Sequence, residues 1–450
     1  MSKTTHKFAG HGLAMAAAMG IAAATVFPGI SARASAEVDW SAVPAATVTL
    51  FYPGQGGYQW LRSPKHRRAN TKVARGDSCA SCHEGEEAQI GDLIVAGERL
   101  EPTPIPGKNG SVDLRVQAAY DSENLYLRFQ WKTNMDRPGQ MHNYVRYDGE
   151  KWEFYGSHRA SKSVRDGSQP PLYEDRLAIM LDDGSVPLFR EQGCWLTCHN
   201  GMRDMPGEAS KAEVQAHPVL GKEGLDVGDV RKFLPISRTD DMASWSQIKS
   251  PEEIAALKAD GQFVDLMQWR AARSNAVGMA DDGYVLEYRL FDEGKNMFSW
   301  NLDRKTMTPK FMFDAAKVGF KALSETAVGD PSKPHAVIKE QNAVPYDADA
   351  GWKAGDILPG RLLSRAGAKG SAADNDHVEG VWKDGVWTVE FTRKLDTGHP
   401  GDDKILKEGG VYTIGLAVHD DNVTTRFHFV GFPRTLGIGA EADIQAVKLN

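Results

Sequence analysis

Cysteine is scarce in this chain: four residues in 450, all within two short clusters. That excludes a disulfide-stapled scaffold, whose bridges would be expected to close longer loops. Long apolar runs are missing after residue 36. Nothing there approaches the ~20 residues a spanning helix needs, so the mature chain is expected to lack a membrane span. There is no basic tract of the nucleic-acid type, and 60 acidic residues outnumber 53 basic ones for a net charge of −7. Nucleic acid is therefore not the expected partner. No internal repeat and no clean dividing linker are visible. What is present is ordinary globular material, 41% hydrophobic and 25% charged. Disorder and low-complexity fibre are excluded. Forty-five glycines and 22 prolines favour turn-rich β structure over a helical bundle.

The first 36 residues read as a secretory signal peptide. Lys3 and Lys7 form the charged start, a small apolar run covers Gly12 to Ile30, and Ala34-Ser35-Ala36 offers a cleavage site. No twin arginine precedes the run, which points to export of an unfolded chain. The alternative is an uncleaved anchor. Cleavage would remove Lys3, Lys7 and Arg33 and no acid, taking the net charge from −7 to −10. The expected address is the periplasm.

Alternation of apolar residues marks strands at Thr47–Tyr52, Arg176–Leu181, Tyr284–Phe291, Val386–Arg393, Val411–His419 and Val423–Phe432. Residues 113–131 read as a hairpin turning at Asp121–Asn124. Ser250, Pro251 and Glu253 resemble a helix start, with helical pieces at Ala209–Ala216 and Pro251–Ala259. Residues 263–273 are ambiguous between helix and strand. Residues 325–380 read as long loops. The expected fold class is mainly β, a β-sandwich over residues 37–450 with helical and long-loop insertions at about 60–110 and 190–262.

The insertions hold the cysteines. Cys79-Ala-Ser-Cys82-His83 is a C-x-x-C-H motif, the attachment signature of c-type haem. Two thiols reach the two vinyl groups on one porphyrin edge, and the next residue faces the iron with an imidazole. A zinc site would normally need four protein ligands, which one such motif does not supply. Cys194-Trp-Leu-Thr-Cys198-His199 has one more residue between its cysteines. It still bridges both vinyls if the loop bulges; a small disulfide loop or a buried apolar pair is the alternative. Two covalent haems are expected, with His83 and His199 as iron ligands.

An iron used for electron transfer has a second protein ligand. The ranking is His428 and His419 on a late hairpin, then His66, His158 and His142. His66 sits in the basic loop before Cys79, which also suits haem propionates. Met135, Met141, Met202 and Met205 are softer alternatives. A methionine would raise the potential relative to two histidines.

Several segments carry a resemblance to a known family: Asp113–Lys132, Tyr173–Ile179, Gly193–His199, Asp265–Ser274 and the run from His419 to Gly437. In this order they resemble the haem-binding domains related to the haem subunit of ethylbenzene dehydrogenase. The resemblance spans most of residues 45–448. It implies a β-sandwich with haem held by loops at one end, and electron exchange with molybdenum enzymes or life as a free-standing periplasmic cytochrome. That haem subunit holds non-covalent haem through methionine and lysine. The two cysteine motifs depart from it, so its ligands are not carried over.

The expected function is a periplasmic dihaem c-type electron carrier, partnered by a molybdenum oxidoreductase or a quinol-linked cytochrome. The alternative is a haem enzyme, a peroxidase or small-molecule reductase with one open iron site. That would need acid–base groups beside the iron, and the sequence offers no distinctive set.

Overall fold

The computed structural model describes residues 38–97, 100–134, 139–221, 230–290, 297–368, 375 and 377–449. The signal segment at 1–36 and Met135 lie outside the described residues. Thirteen strands form one continuous sheet: β1 (Ala45–Phe51), β2 (Ser111–Tyr120), β3 (Asn124–Lys132), β4 (Arg176–Asp182), β5 (Val264–Arg270), β6 (Tyr284–Val285), β7 (Arg289–Leu290), β8 (His377–Lys383), β9 (Val386–Lys394), β10 (Val411–His419), β11 (Phe429–Val430), β12 (Arg434–Ile438) and β13 (Ile444–Lys448). The main path runs β8-β9-β3-β2-β1-β11-β10-β4-β5-β6-β7. Strand β12 pairs with β10, and β13 lies parallel to both β12 and β2, which closes a ring of six strands.

Sequence alternation explains the pairing. In β9 Trp387, Val389, Phe391 and Arg393 point inward and their neighbours do not. Register with β3 sets Trp387 opposite Trp131 and Phe391 opposite Leu127. The sheet folds over itself, so strands far apart along the path meet across the core. Trp269 of β5 packs edge-on to Trp387 of β9, with centroids 4.9 Å apart, and 6.0 Å from Trp131 of β3. All three indoles are buried, each worth about 3–5 kcal/mol against alanine. The mainly β class with helical insertions is what the sequence led us to expect.

The helix at Pro251–Ala259 forms as read, its Ser250 and Glu253 closing a capping box with bonds of 3.3 and 2.9 Å. A second box, Ser210 with Glu213, starts Lys211–Ala216. The ambiguous segment becomes strand β5, buried along its whole length.

Three readings need correction. The Tyr284–Phe291 strand is two short pieces, β6 and β7, which pair with each other around residues 286–288; Phe291 is outside the described residues. The Val423–Phe432 strand contains only β11. Asp421, Asn422 and Thr425 take left-handed backbone, with φ of +73°, +56° and +53°. Residues 425–427 coil into a 3₁₀ turn, and His428 caps that turn. Residues 325–380 are not only loops. Ile357–Pro359 joins the hairpin Tyr144–Tyr147/Trp152–Tyr155, and Arg361–Leu363 joins Phe298–Trp300 and Val337–Ile338. These short strands cover a second apolar cluster around Trp152, Phe313 and Leu358.

Strand β8 crosses Trp269 so closely that a Cβ on Gly380 would lie 2.3 Å from its ring. Trp269 cannot yield without disturbing Trp131 and Trp387. Gly380→Ala is therefore expected to cost about 1–3 kcal/mol of overpacking. Equilibrium denaturation measures it; an unchanged midpoint would contradict this packing of the layers.

Candidate functional site

Cys79 opens a single helical turn, Ala80–His83, and His83 N–H donates to the Cys79 carbonyl at 3.1 Å. The turn gathers both thiols and the imidazole on one short element. Cys79 is half-buried and Cys82 exposed. His83 directs Nδ1 to Glu86 at 2.9 Å. That is the outer-shell arrangement that orients a metal-binding histidine and turns Nε2 to the metal. The ring of His66 lies with its centroid 6.2 Å from that of His83 and its plane tilted by only 22°. Its Nδ1 faces the Leu61 carbonyl at 3.0 Å. One metal ion about 2 Å from a nitrogen of each ring would set the centroids roughly 6 Å apart. The pair thus fits a shared ion.

The second motif is tighter. Gly193 takes a φ of +54° just before Cys194, a conformation that favours glycine. A 3₁₀ turn then covers Gly193–Thr197, held by Thr197 Oγ1 on the Cys194 carbonyl at 2.8 Å. Cys198 follows in extended backbone, which is how the extra residue is accommodated. Both cysteines are buried, and Cys194 Sγ would lie 2.7 Å from a Cβ on Gly415 of β10. Burial pushes the Cys194 thiol up to about 12 and that of Cys79 to about 11. No disulfide joins any of the four cysteines.

His199 stacks on Phe233 at 3.8 Å. Burial holds it neutral, with its pKa lowered to about 3. Yet its two nitrogens face two carbonyls, Asn200 O at 2.6 Å and Arg231 O at 2.9 Å. A neutral imidazole has one N–H and can satisfy only one of them. A group that took the lone pair of the other nitrogen would resolve the conflict.

The fold joins the two motifs. Cys79 N–H donates to the Glu191 carbonyl at 3.3 Å, and Gln192 Nε2 donates to Val73 O at 3.1 Å. Tyr58 N–H reaches Cys198 O at 2.6 Å. Phe51 of β1 lies 5.3 Å from Trp195.

The other candidates fall into two groups. His419 and His428 are buried and nearly parallel, but their centroids are 4.7 Å apart. That is too close for one ion between them, so the two cannot ligate the same iron from opposite faces. His428 turns Nδ1 to the Thr425 carbonyl. Burial lowers His428 to about 3 and His419 well below the usual range. His142 and His158 flank Tyr173, 5.0 and 6.0 Å from its ring. Burial lowers His158 to about 4 and His142 well below the usual range. The Nδ1 atoms of His142, His158 and His419 are buried and find no hydrogen-bond partner among the described residues. Such an orphan costs about 1–3 kcal/mol, and three together point to a group that would engage them. Met141 packs in the second apolar cluster, and Met202 and Met205 are buried in a turn.

Sequence reading missed the cations. Arg176, Arg270 and Arg273 are buried beside these histidines, opposed by Glu174 and Asp281. Arg273 holds Glu174 at 2.6 Å. Lys232 donates to Thr197 Oγ1 at 3.2 Å and lies 3.9 Å from Cys198 Sγ. The arginines stand in two of the segments that carry the family resemblance, which was the available signal. Buried Arg426 bonds Tyr52 OH at 2.9 Å and Glu101 Oε1 at 3.1 Å, pinning the turn before His428.

Residues 37–430 match the ethylbenzene dehydrogenase family, and the chain belongs to it. It is 28% identical to cytochrome c-552 of Stutzerimonas stutzeri over 435 residues, 96% of this chain and 98% of that protein. It is 30% identical to cytochrome c-551 of Rhodocyclus tenuis over 177 residues, 38% of this chain and 60% of that protein. The chain is thus similar to a cytochrome along nearly its whole length. No helix among the described residues is long and apolar enough to cross a membrane.

Arg426→Ala would leave Glu101 charged and buried without its partner. The expected loss is about 3–5 kcal/mol, measured by denaturant unfolding. A loss below about 1 kcal/mol would contradict the pinning role of this pair.

Proposed function

We propose that the protein is an exported dihaem c-type cytochrome that carries electrons. One haem is held by Cys79 and Cys82 with His83 and His66 on the iron. The other is held by Cys194 and Cys198 with His199 and, from the late turn, His428. The observation that carries this reading is the His66–His83 pair beside the C-x-x-C-H turn, with ring centroids 6.2 Å apart and planes inclined by 22°. Haem, when bound, supplies a one-electron couple. This chain's residues supply the rest: the thiols tether, the histidines close the coordination sphere, and Arg176, Arg270 and Arg273 offer positive charge for propionates. The hydrogen bonds between the motifs favour electron exchange between the two sites.

Residues 60–110 and 190–262 are the haem-bearing insertions of this scheme. Lys3, Lys7, the apolar run and Ala34-Ser35-Ala36 support cleavage of a signal peptide and a periplasmic address. Exposed Lys65, Arg67, Arg68, Lys72 and Arg75 precede the first motif, and no acidic residue stands between Asp39 and Asp77. A redox partner meeting this face would present acidic side chains. The family resemblance favours a molybdenum enzyme as that partner, with a quinol-linked cytochrome as the alternative.

The test counts haem. The mature protein is expected to hold two covalent haems per chain after denaturation, with Cys79→Ala/Cys82→Ala and Cys194→Ala/Cys198→Ala each reducing the count to one. His66→Ala should keep both haems and turn one iron from low-spin to high-spin. A count of one in the parent protein would remove the second motif from the scheme, and an unchanged spectrum would remove His66.

A further inference from the structure

We infer that one helical turn, Tyr58–Leu61, serves both iron sites: Trp60 positions His66 for the first, and the start of the same turn holds His199 in place for the second. The inference rests on the reading of His66 and His199 as iron ligands and adds the element that couples them.

The end of the turn reaches the first site. The Leu61 carbonyl faces His66 Nδ1 at 3.0 Å. A carbonyl only accepts, so Nδ1 carries the proton and Nε2 keeps its lone pair. Half-buried Trp60 sets its ring centroid 5.1 Å from that of His66, with the planes inclined by 36°. The chain between them is closed by short bonds: Ser63 N–H donates to the Trp60 carbonyl and His66 N–H to the Ser63 carbonyl, each at 3.0 Å. The carbonyl fixes the tautomer. The indole is the wall that stops the imidazole from tilting about that one hydrogen bond.

The start of the turn reaches the second site. Tyr58 N–H donates to the Cys198 carbonyl at 2.6 Å, and Asn200 N–H donates to Gln59 Oε1 at 2.9 Å. These two bonds bracket His199 in the chain. Gly57, just before the turn, approaches so closely that a Cβ on it would stand 2.7 Å from Asn200 Oδ1 and 3.4 Å from the His199 carbonyl carbon.

The turn is too short to serve the sites separately. Its own hydrogen bonds, Leu61 N–H to Gly57 O at 3.0 Å and Arg62 N–H to Tyr58 O at 3.2 Å, span its whole length. A lone turn is not stable in water, so its contacts set its place. Tyr58 and Leu61 are buried in the apolar cluster that holds Cys194 and Trp195, and Trp60 and Cys79 pack against that cluster. A close-packed unit transmits strain, so a shift of His66 is felt at His199 and the reverse.

The test uses the full protein with its haems attached. Trp60→Ala should weaken the hold of His66 on iron by about 10- to 100-fold, read as at least a tenfold gain in carbon monoxide affinity of the reduced protein. Trp60→Phe should restore the parent value. Gln59→Leu, at the other end of the turn, should shift the low-spin electron paramagnetic resonance signals of both irons. Should Trp60→Ala fail to fold, Gln59→Leu decides. Unchanged carbon monoxide affinity in folded Trp60→Ala, where His66→Ala raises it, would overturn the positioning role and leave the haem reading standing. Signals shifted at one iron only, or at neither, in Gln59→Leu would overturn the coupling. No gain in His66→Ala would overturn His66 as a ligand and this inference with it.

Discussion

A metal ion takes only an imidazole nitrogen that carries no proton. On the proposed reading, this constraint governs how the histidines are housed. His199, His419 and His428 are buried deeply enough to stay neutral at any physiological pH. Packing accomplishes this: Phe233 lies on His199, and the late turn presses His428 against His419. The first motif solves the same problem at the surface, where His83 is oriented by Glu86 and paired with His66. The two motifs are thus unlike, one enclosed and one partly accessible.

The sheet makes this possible. Folding it over brings strands from distant parts of the path into contact through Trp131, Trp269 and Trp387. The same fold sets the cysteine segments side by side through the Cys79–Glu191 and Gln192–Val73 hydrogen bonds. It also concentrates unusual polarity in the interior. Guanidiniums of Arg176, Arg270 and Arg273 gather near the histidines, and carboxylates of Asp265, Asp282 and Asp403 gather at another point of the core.

What was legible in the sequence followed local rules. Strand β10 runs Val411–His419 as read, because its alternation is unbroken, and the Ser250–Glu253 box starts its helix. Cys79, Cys82 and His83 are legible because one turn holds the entire motif. The failures are tertiary. Nothing local announces that Arg426 will be drawn to Glu101 and coil the strand read at Val423–Phe432 into a turn. The approach of His66 to His83 depends on how the loop folds, not on the spacing between them. The pairing of His419 with His428 too closely to share an ion was equally hidden, since a hairpin drawn from sequence gives no ring separation.

The central claim is that both irons are closed by protein side chains and exchange one electron each. A potentiometric titration of the mature protein, followed by visible absorption and repeated under carbon monoxide, tests it most directly. The account predicts two electrons taken up per chain in one-electron steps, with the curve unmoved by carbon monoxide. Uptake of a single electron, or rapid carbon monoxide binding to the reduced protein, would contradict it.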